Sequence, residues 1–284
     1  MKKGSYLYFK RRLKNFISKI FAYLMTSVSL FFLGWLLFSL ITYGSSHFNL
    51  SLFMETTPPP GMEGGLLNAI LGSLMMVGLA VLMGTPIAVV VAVYLTEYGS
   101  PGYFASMLKY VNDILLSAPS IILGLFIYQI YVLRYGSFSG WAGVLALSLI
   151  VFPIVVRASE NVLTLIPDHL KEAAAALGTP KWKTIIFLIL PISRTGIVTG
   201  AVLAFARVSG ETAPLLFTAL NNQFMNLDLN KPMASLPVVI FQFAMSPYDD
   251  WHKIAWSGAL FLTLIVLTLN VCVRLIFRQK IILH

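Results

Sequence analysis

Apolar residues in this chain fall in long uninterrupted blocks, with no two- or four-residue alternation between polar and apolar positions. Residues 20–46, 64–96, 114–133, 135–156 and 254–273 contain no Asp, Glu, Lys or Arg. A helix needs about 20 apolar residues to cross the hydrocarbon core of a bilayer, and each block supplies roughly that. A sixth block is interrupted: 195–206 is uncharged, Arg207 follows, and Glu211 stands one turn later. The pattern predicts an all-α polytopic membrane protein with six transmembrane helices, centred near residues 30, 80, 123, 148, 205 and 265.

Composition agrees. Of the 284 residues 58% are hydrophobic and 11% charged, whereas soluble domains carry about 25% charged residues. The net charge of +9 gathers at helix ends and in loops, not along one basic face, which argues against nucleic-acid binding. The single cysteine, Cys272, leaves no intramolecular disulfide or Cys-rich metal site, and reads as a small apolar packing residue. His47, His169, His252 and His284 lie far apart and suggest no metal site.

Orientation follows from Lys and Arg in the short flanking segments. With the N-terminus inside, only Arg134, Lys231 and Lys253 fall outside and Arg207 falls within a span; all remaining Lys and Arg, from Lys2 to Lys280, lie inside. Both termini are therefore expected in the cytoplasm. The first apolar block is too long for a signal-peptide core and ends at Tyr43-Gly44 without an Ala-x-Ala site, so it reads as an uncleaved span. Residues 1–60 then comprise a basic N-terminus, one span and an external connection. Residues 61–284 hold five spans, a cytoplasmic loop at 160–191 and an external loop at 218–253. Within that external loop, the apolar run Ala234–Met245 is below spanning length and is expected to be re-entrant, interfacial or packed across the mouth of the bundle.

The cytoplasmic loop is the unusual part: a charged segment punctuated by Gly and Pro in a chain that otherwise resembles lipid-soluble helix. Pro167-Asp168 marks a helix start, Lys171–Leu177 are strong helix formers, and Gly178 before Pro180 is an αL stop. Two short helices joined at Gly178 are predicted. Ala173–Ala176 leave a smooth face that another protein can approach closely.

Glu172-Ala173-Ala174, Gly178 and Leu190-Pro191 stand at the spacing of the EAA loop of ABC-transporter permeases. Leu188 departs mildly, where Ile is usual. The resemblance implies the type I ABC importer permease fold, and that Glu172, Ala173, Ala174, Gly178, Leu190 and Pro191 couple the chain to a separate ATPase. The chain has no Gly-x-x-x-x-Gly-Lys-Ser/Thr loop. It is therefore read as a non-enzymatic subunit that binds no cofactor, with ATP and Mg held by a partner.

Arg207 and Glu211 form the second anomaly, since a charge within the membrane costs at least about 2.5–3.5 kcal/mol. At i, i+4 of a continuous helix they would share one face, which Gly196, Gly200 and Ala204 extend toward the cytoplasm. Either the two neutralise each other, or Arg207 meets an anionic substrate through its planar two-pronged donors. In the second case Glu211 would accept a hydrogen bond from a protonated phosphate oxygen and repel sulfate.

The stretch Ala206 to Ala219, with Ala118-Pro119-Ser120-Ile121-Ile122-Leu123-Gly124 and Ser235-Leu236-Pro237, resembles the PstA-type permease subunits of bacterial phosphate-uptake ABC transporters. The likeness covers roughly residues 66–278. It implies a multi-pass bacterial inner-membrane protein that forms half of a phosphate path, with Arg207, Ser209, Glu211 and Thr212 along it and no catalytic or metal-binding residue. The implied partners are a PstC-type permease, two PstB-type ATP-binding subunits and an external PstS-type phosphate-binding protein. A permease for another oxyanion or small solute, and an ATPase-independent secondary transporter, are the alternatives; for the latter, Gly84-Thr85-Pro86 and Pro119 would serve as helix breaks, while in the importer reading Gly84-Thr85-Pro86, Pro119 and Pro214 are the candidate hinges.

Overall fold

The computed structural model describes residues 2–62, 64–99 and 102–278. Lys280 and His284, both named above, lie outside the described residues. Among those described, every regular element is helical. In chain order the α-helices are α1 (Lys2–Ser45), α2 (Ser51–Met54), α3 (Leu67–Val93), α4 (Tyr103–Ser117), α5 (Ser120–Ile127), α6 (Leu133–Tyr135), α7 (Gly140–Leu163), α8 (Asp168–Ala176), α9 (Lys181–Thr184), α10 (Leu190–Val208), α11 (Ala213–Leu216), α12 (Leu236–Ala244) and α13 (Asp249–Arg278). Three π-helical turns, Tyr94–Tyr98, Tyr128–Val132 and Ile185–Ile189, continue α3, α5 and α9. The last has a visible cause: Pro191 cannot donate to the carbonyl four residues back, and the wider turn absorbs its ring.

Five helices are long and apolar enough to cross a membrane by themselves: Tyr8–Ser45, Leu67–Tyr98, Gly140–Leu163, Lys181–Val208 and Asp249–Cys272. The remaining expected span, centred near residue 123, is not one straight helix. Its sequence divides at Ala118-Pro119 into Tyr103–Ser117 and Ser120–Tyr135, bent by 106°. Pro119 has no N–H to continue the ladder and disfavours the α conformation at Ala118, which is extended at ψ 134°. The run centred on residue 123 therefore starts as an amphipathic helix carrying Lys109 and Asp113, and both limbs pack on α7, the first through Ala105, Leu108 and Leu115. Gly84-Thr85-Pro86 behaves in the opposite way. Its sequence offers a hinge, or a break in the secondary-transporter reading, yet α3 runs through Pro86 without interruption.

Helix α7 is the centre of the bundle. Met76, Val77, Ala80 and Ala88 of α3 pack with Val144, Leu147, Val151 and Val155 of α7, and Ala204 and Val208 of α10 join them. Small residues set the spacing: a Cβ built at Gly196 would lie 2.2 Å from Val162 Cγ2, and one at Gly200 would lie 2.5 Å from Ala158 Cβ. These pairings step in opposite directions along α10 and α7, whereas Gly84 meets Val151 as Gly143 meets Met76. So α3 and α7 run parallel and α10 runs against them, as alternating spans must. The stripe Gly196, Gly200, Ala204 is thus a helix–helix contact rather than the wall of a path.

One end of the bundle is closed by stitched loops. Asn68, 3% exposed, accepts from Thr57 N at 3.1 Å and donates to Thr57 Oγ1 and Asn222 O, both at 2.9 Å. The apolar run near residue 240 folds as the nine-residue α12, whose Leu236 N–H donates to Ser73 Oγ at 2.7 Å. It buries Val238, Val239 and Phe243, and packs along α13 and against α3. This is the short, non-spanning segment expected for that loop. By contrast α1, 44 residues long, touches α13 mainly where Gly44 O accepts from Ser257 Oγ (3.0 Å); most of its apolar surface is left uncovered by this chain.

The α7–α10 contact makes a direct prediction. Gly200→Leu overpacks it, by roughly 1–3 kcal/mol, and should lower the melting temperature of the detergent-purified protein by about 2–10 °C. Gly34→Leu, at a position with nothing within 4 Å, should leave it unchanged.

Candidate functional site

Two places in the bundle carry unusual polar chemistry, and α10 connects them. The first lies where α10 ends. The helix was expected to continue through Glu211, but it stops at Val208; Ser209 and Gly210 form a turn, and α11 restarts at Ala213. Gly210 and Pro214 explain the stop. Arg207 and Glu211 therefore do not share a helix face, and no ion pair within 4.0 Å joins them in the described residues. Arg207 is exposed and Glu211 half-buried. Ser209 is buried, and its hydroxyl donates to Phe205 O at 2.7 Å. Thr212 is half-buried immediately before α11.

Arg207 lines a small cleft with Leu115, Ala118, Ser120, Ile150 and Pro153. Its free volume, about 10 Å³, is room for one water at most. The cleft is at the middle of α7, since Ile150 and Pro153 are central in Gly140–Leu163. Here the two broken spans meet. Gly124 of α5 approaches Pro214 of α11 so closely that an added Cβ would stand 2.5 Å from Pro214 Cα. The start of α5, with no side-chain cap, leaves N–H donors at the same cleft, and such a helix start favours anions. Interrupted helices at mid-depth are tolerated where they are covered by protein or line a wet cavity. The arrangement can present a cation and backbone donors to an anion once the cleft widens.

The second place is the α8–α9 hairpin at the opposite end of α10, with Arg207 about 26 Å from Leu190 along the helix. Gly178 adopts φ +75° and closes α8 in a Schellman turn: Gly178 N–H donates to Ala175 O (2.9 Å) and Thr179 N–H to Ala174 O (3.1 Å). The helix pair joined at Gly178 is as expected. Glu172 and Ala173 are exposed and Ala174 is half-buried. Leu177 at the tip is 86% exposed and Leu165 78%. Leu190 is half-buried and Pro191 exposed, at the hairpin's exit.

A buried acid beside this hairpin was not picked out from the sequence. Glu97, in the π-turn that ends α3, has a side chain only 5% exposed, and Lys171 Nζ of α8 stands 2.7 Å from its Oε1. Asp168 flanks the same ammonium at 3.4 Å. Partial burial pulls the Lys171 pKa down, but the Glu97 and Asp168 carboxylates outweigh it and the net direction is up. The raised value means that the pair stabilises fully at neutral pH, and is lost only as pH climbs through a value above the usual 10.5 of lysine. The sequence signal was thin: a lone Glu at the end of an apolar run.

Comparison with known proteins places the chain in a family. Residues 84–279 match the model of the binding-protein-dependent transport system inner membrane component. A phosphate transport system permease protein PstA of Pasteurella multocida is 51% identical over 95% of this chain and 96% of its own length. One of Yersinia pestis is 52% identical over 95% and 92%. Among solved structures, a chain of a bacterial alginate ABC transporter, crystallised in complex with a pentasaccharide-bound periplasmic protein, superposes with a TM-score of 0.66 at 15% identity, over 92% of this chain and 94% of its own. That likeness speaks to fold alone. A multi-pass helical bundle, a match across most of its length and relatives that are half identical end to end make one statement: this chain belongs to the binding-protein-dependent transport system inner membrane components, within the PstA permease proteins.

Proposed function

We propose that this chain forms one half of the membrane path of an ATP-driven phosphate importer. In this reading Arg207 is the mid-membrane contact for the anion, and the α8–α9 hairpin is the docking element for a separate ATPase. The observation that carries the path assignment is the convergence of two interrupted spans, at Ala118-Pro119 and at Ser209–Thr212, on the cleft that Arg207 lines. Guanidinium stays charged when partly desolvated and offers parallel donors to a tetrahedral oxyanion. With a cleft of about 10 Å³, the described conformation has no room for phosphate. Transport then requires the two broken spans to separate, and in this proposal the ATPase drives that change through the hairpin.

The hairpin suits docking because Ala173, Ala176 and Leu177 expose a smooth apolar tip, which loses little side-chain entropy on burial. Nucleotide and Mg would be bound by the ATPase. A second permease of similar fold, facing α1 and the Arg207 side, would complete the path, and an external binding protein would deliver phosphate to the loop end stitched by Asn68. With the N-terminus inside, as the Lys and Arg distribution favours, the hairpin is cytoplasmic and α12 external. Glu211 and Thr212 would flank the anion. Ser209 Oγ, already a donor to its own helix, would act only as an acceptor for a protonated phosphate oxygen.

Arg207→Gln should reduce phosphate uptake by at least about tenfold, the loss expected from one charge-assisted contact, with the complex still assembled. Unchanged uptake and unchanged phosphate-over-sulfate selectivity would remove Arg207 from the path. Glu211→Gln should instead relax that selectivity, measured as inhibition of phosphate uptake by sulfate. For the hairpin, Leu177→Cys in a Cys272→Ser background should react with a membrane-impermeant maleimide in inside-out vesicles only, and ATPase binding should protect it. Labelling from the outside of intact cells would reverse the orientation.

A further inference from the structure

Two cations, one from each limb of the α8–α9 hairpin, converge on the last turn of the second span. Lys171 of α8 stands 2.7 Å from Glu97 Oε1. Lys181, at the start of α9, donates to the Glu97 carbonyl oxygen and lies 4.5 Å over the Tyr98 ring. Beneath them Ala92, Leu163, Ile166, Ile185 and Ile189 form a separate apolar cluster. That cluster supplies adhesion without direction, because the hydrophobic effect has little preference for orientation. A carboxylate that is 5% exposed is different: it must keep its partner or pay its dehydration alone. Among the described residues Glu97 Oε1 makes no hydrogen bond, so the charge of Lys171 beside it is what compensates its burial. The third charge at the pair, Asp168, has a side chain 85% exposed and is solvated independently.

We propose that Glu97 and Lys171 are positioning residues: a latch that fixes the α8–α9 hairpin to the second span, so that a push on the hairpin displaces α3 together with α10. The proposal rests on the reading that the hairpin docks the ATPase. Its mechanical consequence is specific. The Tyr94–Tyr98 turn continues α3 directly, and α3 runs unbroken back to Gly84, which packs against Val151 at the level of the Arg207 cleft. Glu97 to Gly84 is thirteen residues, about 20 Å of helix. The hairpin thus holds two rods that reach the same depth, α10 by chain continuity and α3 by the latch. Moving α10 alone would shear the close Gly196 and Gly200 contacts with α7. Moving both rods with α7, to which each is packed, lets the bundle shift as a unit against the α5 limb.

The test uses the intact membrane complex, purified by its co-purifying subunits and reconstituted in proteoliposomes, with labelled inorganic phosphate as the probe. Glu97→Gln, Lys171→Met, the double variant and Lys171→Arg are compared by phosphate moved per ATP hydrolysed. Each single neutral variant should lower that ratio at least fivefold while the ATPase still co-purifies. The double variant should be no worse than either single, as for two residues acting as one unit, and Lys171→Arg should stay within twofold of the starting protein. An unchanged ratio in both single variants overturns the latch. So does a loss of assembled complex in proportion to the loss of transport, since the residues would then serve folding only. Leu177→Glu on the exposed tip separates the two ideas: normal ATPase co-purification in that variant sinks the docking reading itself, whereas loss of co-purification there, with unchanged ratios in the latch variants, sinks only the latch.

Discussion

The packing of α7 between α3 and α10 is the contact on which the rest of this structure depends. In lipid there is no hydrophobic force between helices, so association relies on close approach and van der Waals contact. Gly143, Gly196 and Gly200 let side chains of the neighbouring helices approach to distances that a single added carbon would violate, and Gly84 holds Val151 almost as close. That triad of helices defines a depth scale across the membrane. Val151 and Pro153 mark its middle, and both interrupted spans are referenced to it.

Because the triad is rigid, the interruptions can be local. Ala118-Pro119 and Ser209–Thr212 leave backbone groups outside any helical ladder at mid-depth, which lipid could not tolerate. They are admitted because each covers the other, with Gly124 seated on Pro214. The same logic places Arg207 at the end of α10, not in its middle: the charge sits where the helix stops and a cleft begins. A continuous helix carrying Arg207 and Glu211 would have offered a self-neutralised pair. The broken one leaves Arg207 at the edge of the cleft and Glu211 beyond the turn.

At the opposite end, the hairpin is held by chemistry of another kind. Pro167, Gly178 and Pro180 shape it locally, and these were legible in the chain: helix start, αL stop and restart were read from residue types alone and appear as α8, the Gly178 turn and α9. The same was true of the non-spanning α12. Illegible were the partners that the hairpin finds across the fold. Nothing in the local sequence pairs Glu97 with Lys171, or Asn68 with Asn222, because those contacts join segments far apart in the chain.

By itself the sequence determined the number and polarity pattern of the apolar blocks, the hairpin and its exposed alanine face, and the residues that carry charge at membrane depth. These follow from hydrophobic length, backbone propensity and the cost of an intramembrane charge, all of which are local quantities. Only the tertiary structure decided which apolar block would bend, at Pro119 and not at Pro86, and where α10 would end. The reason is physical. A proline removes one donor wherever it stands, but whether the helix breaks depends on whether neighbouring helices cover the freed backbone, and that is a property of the packed bundle.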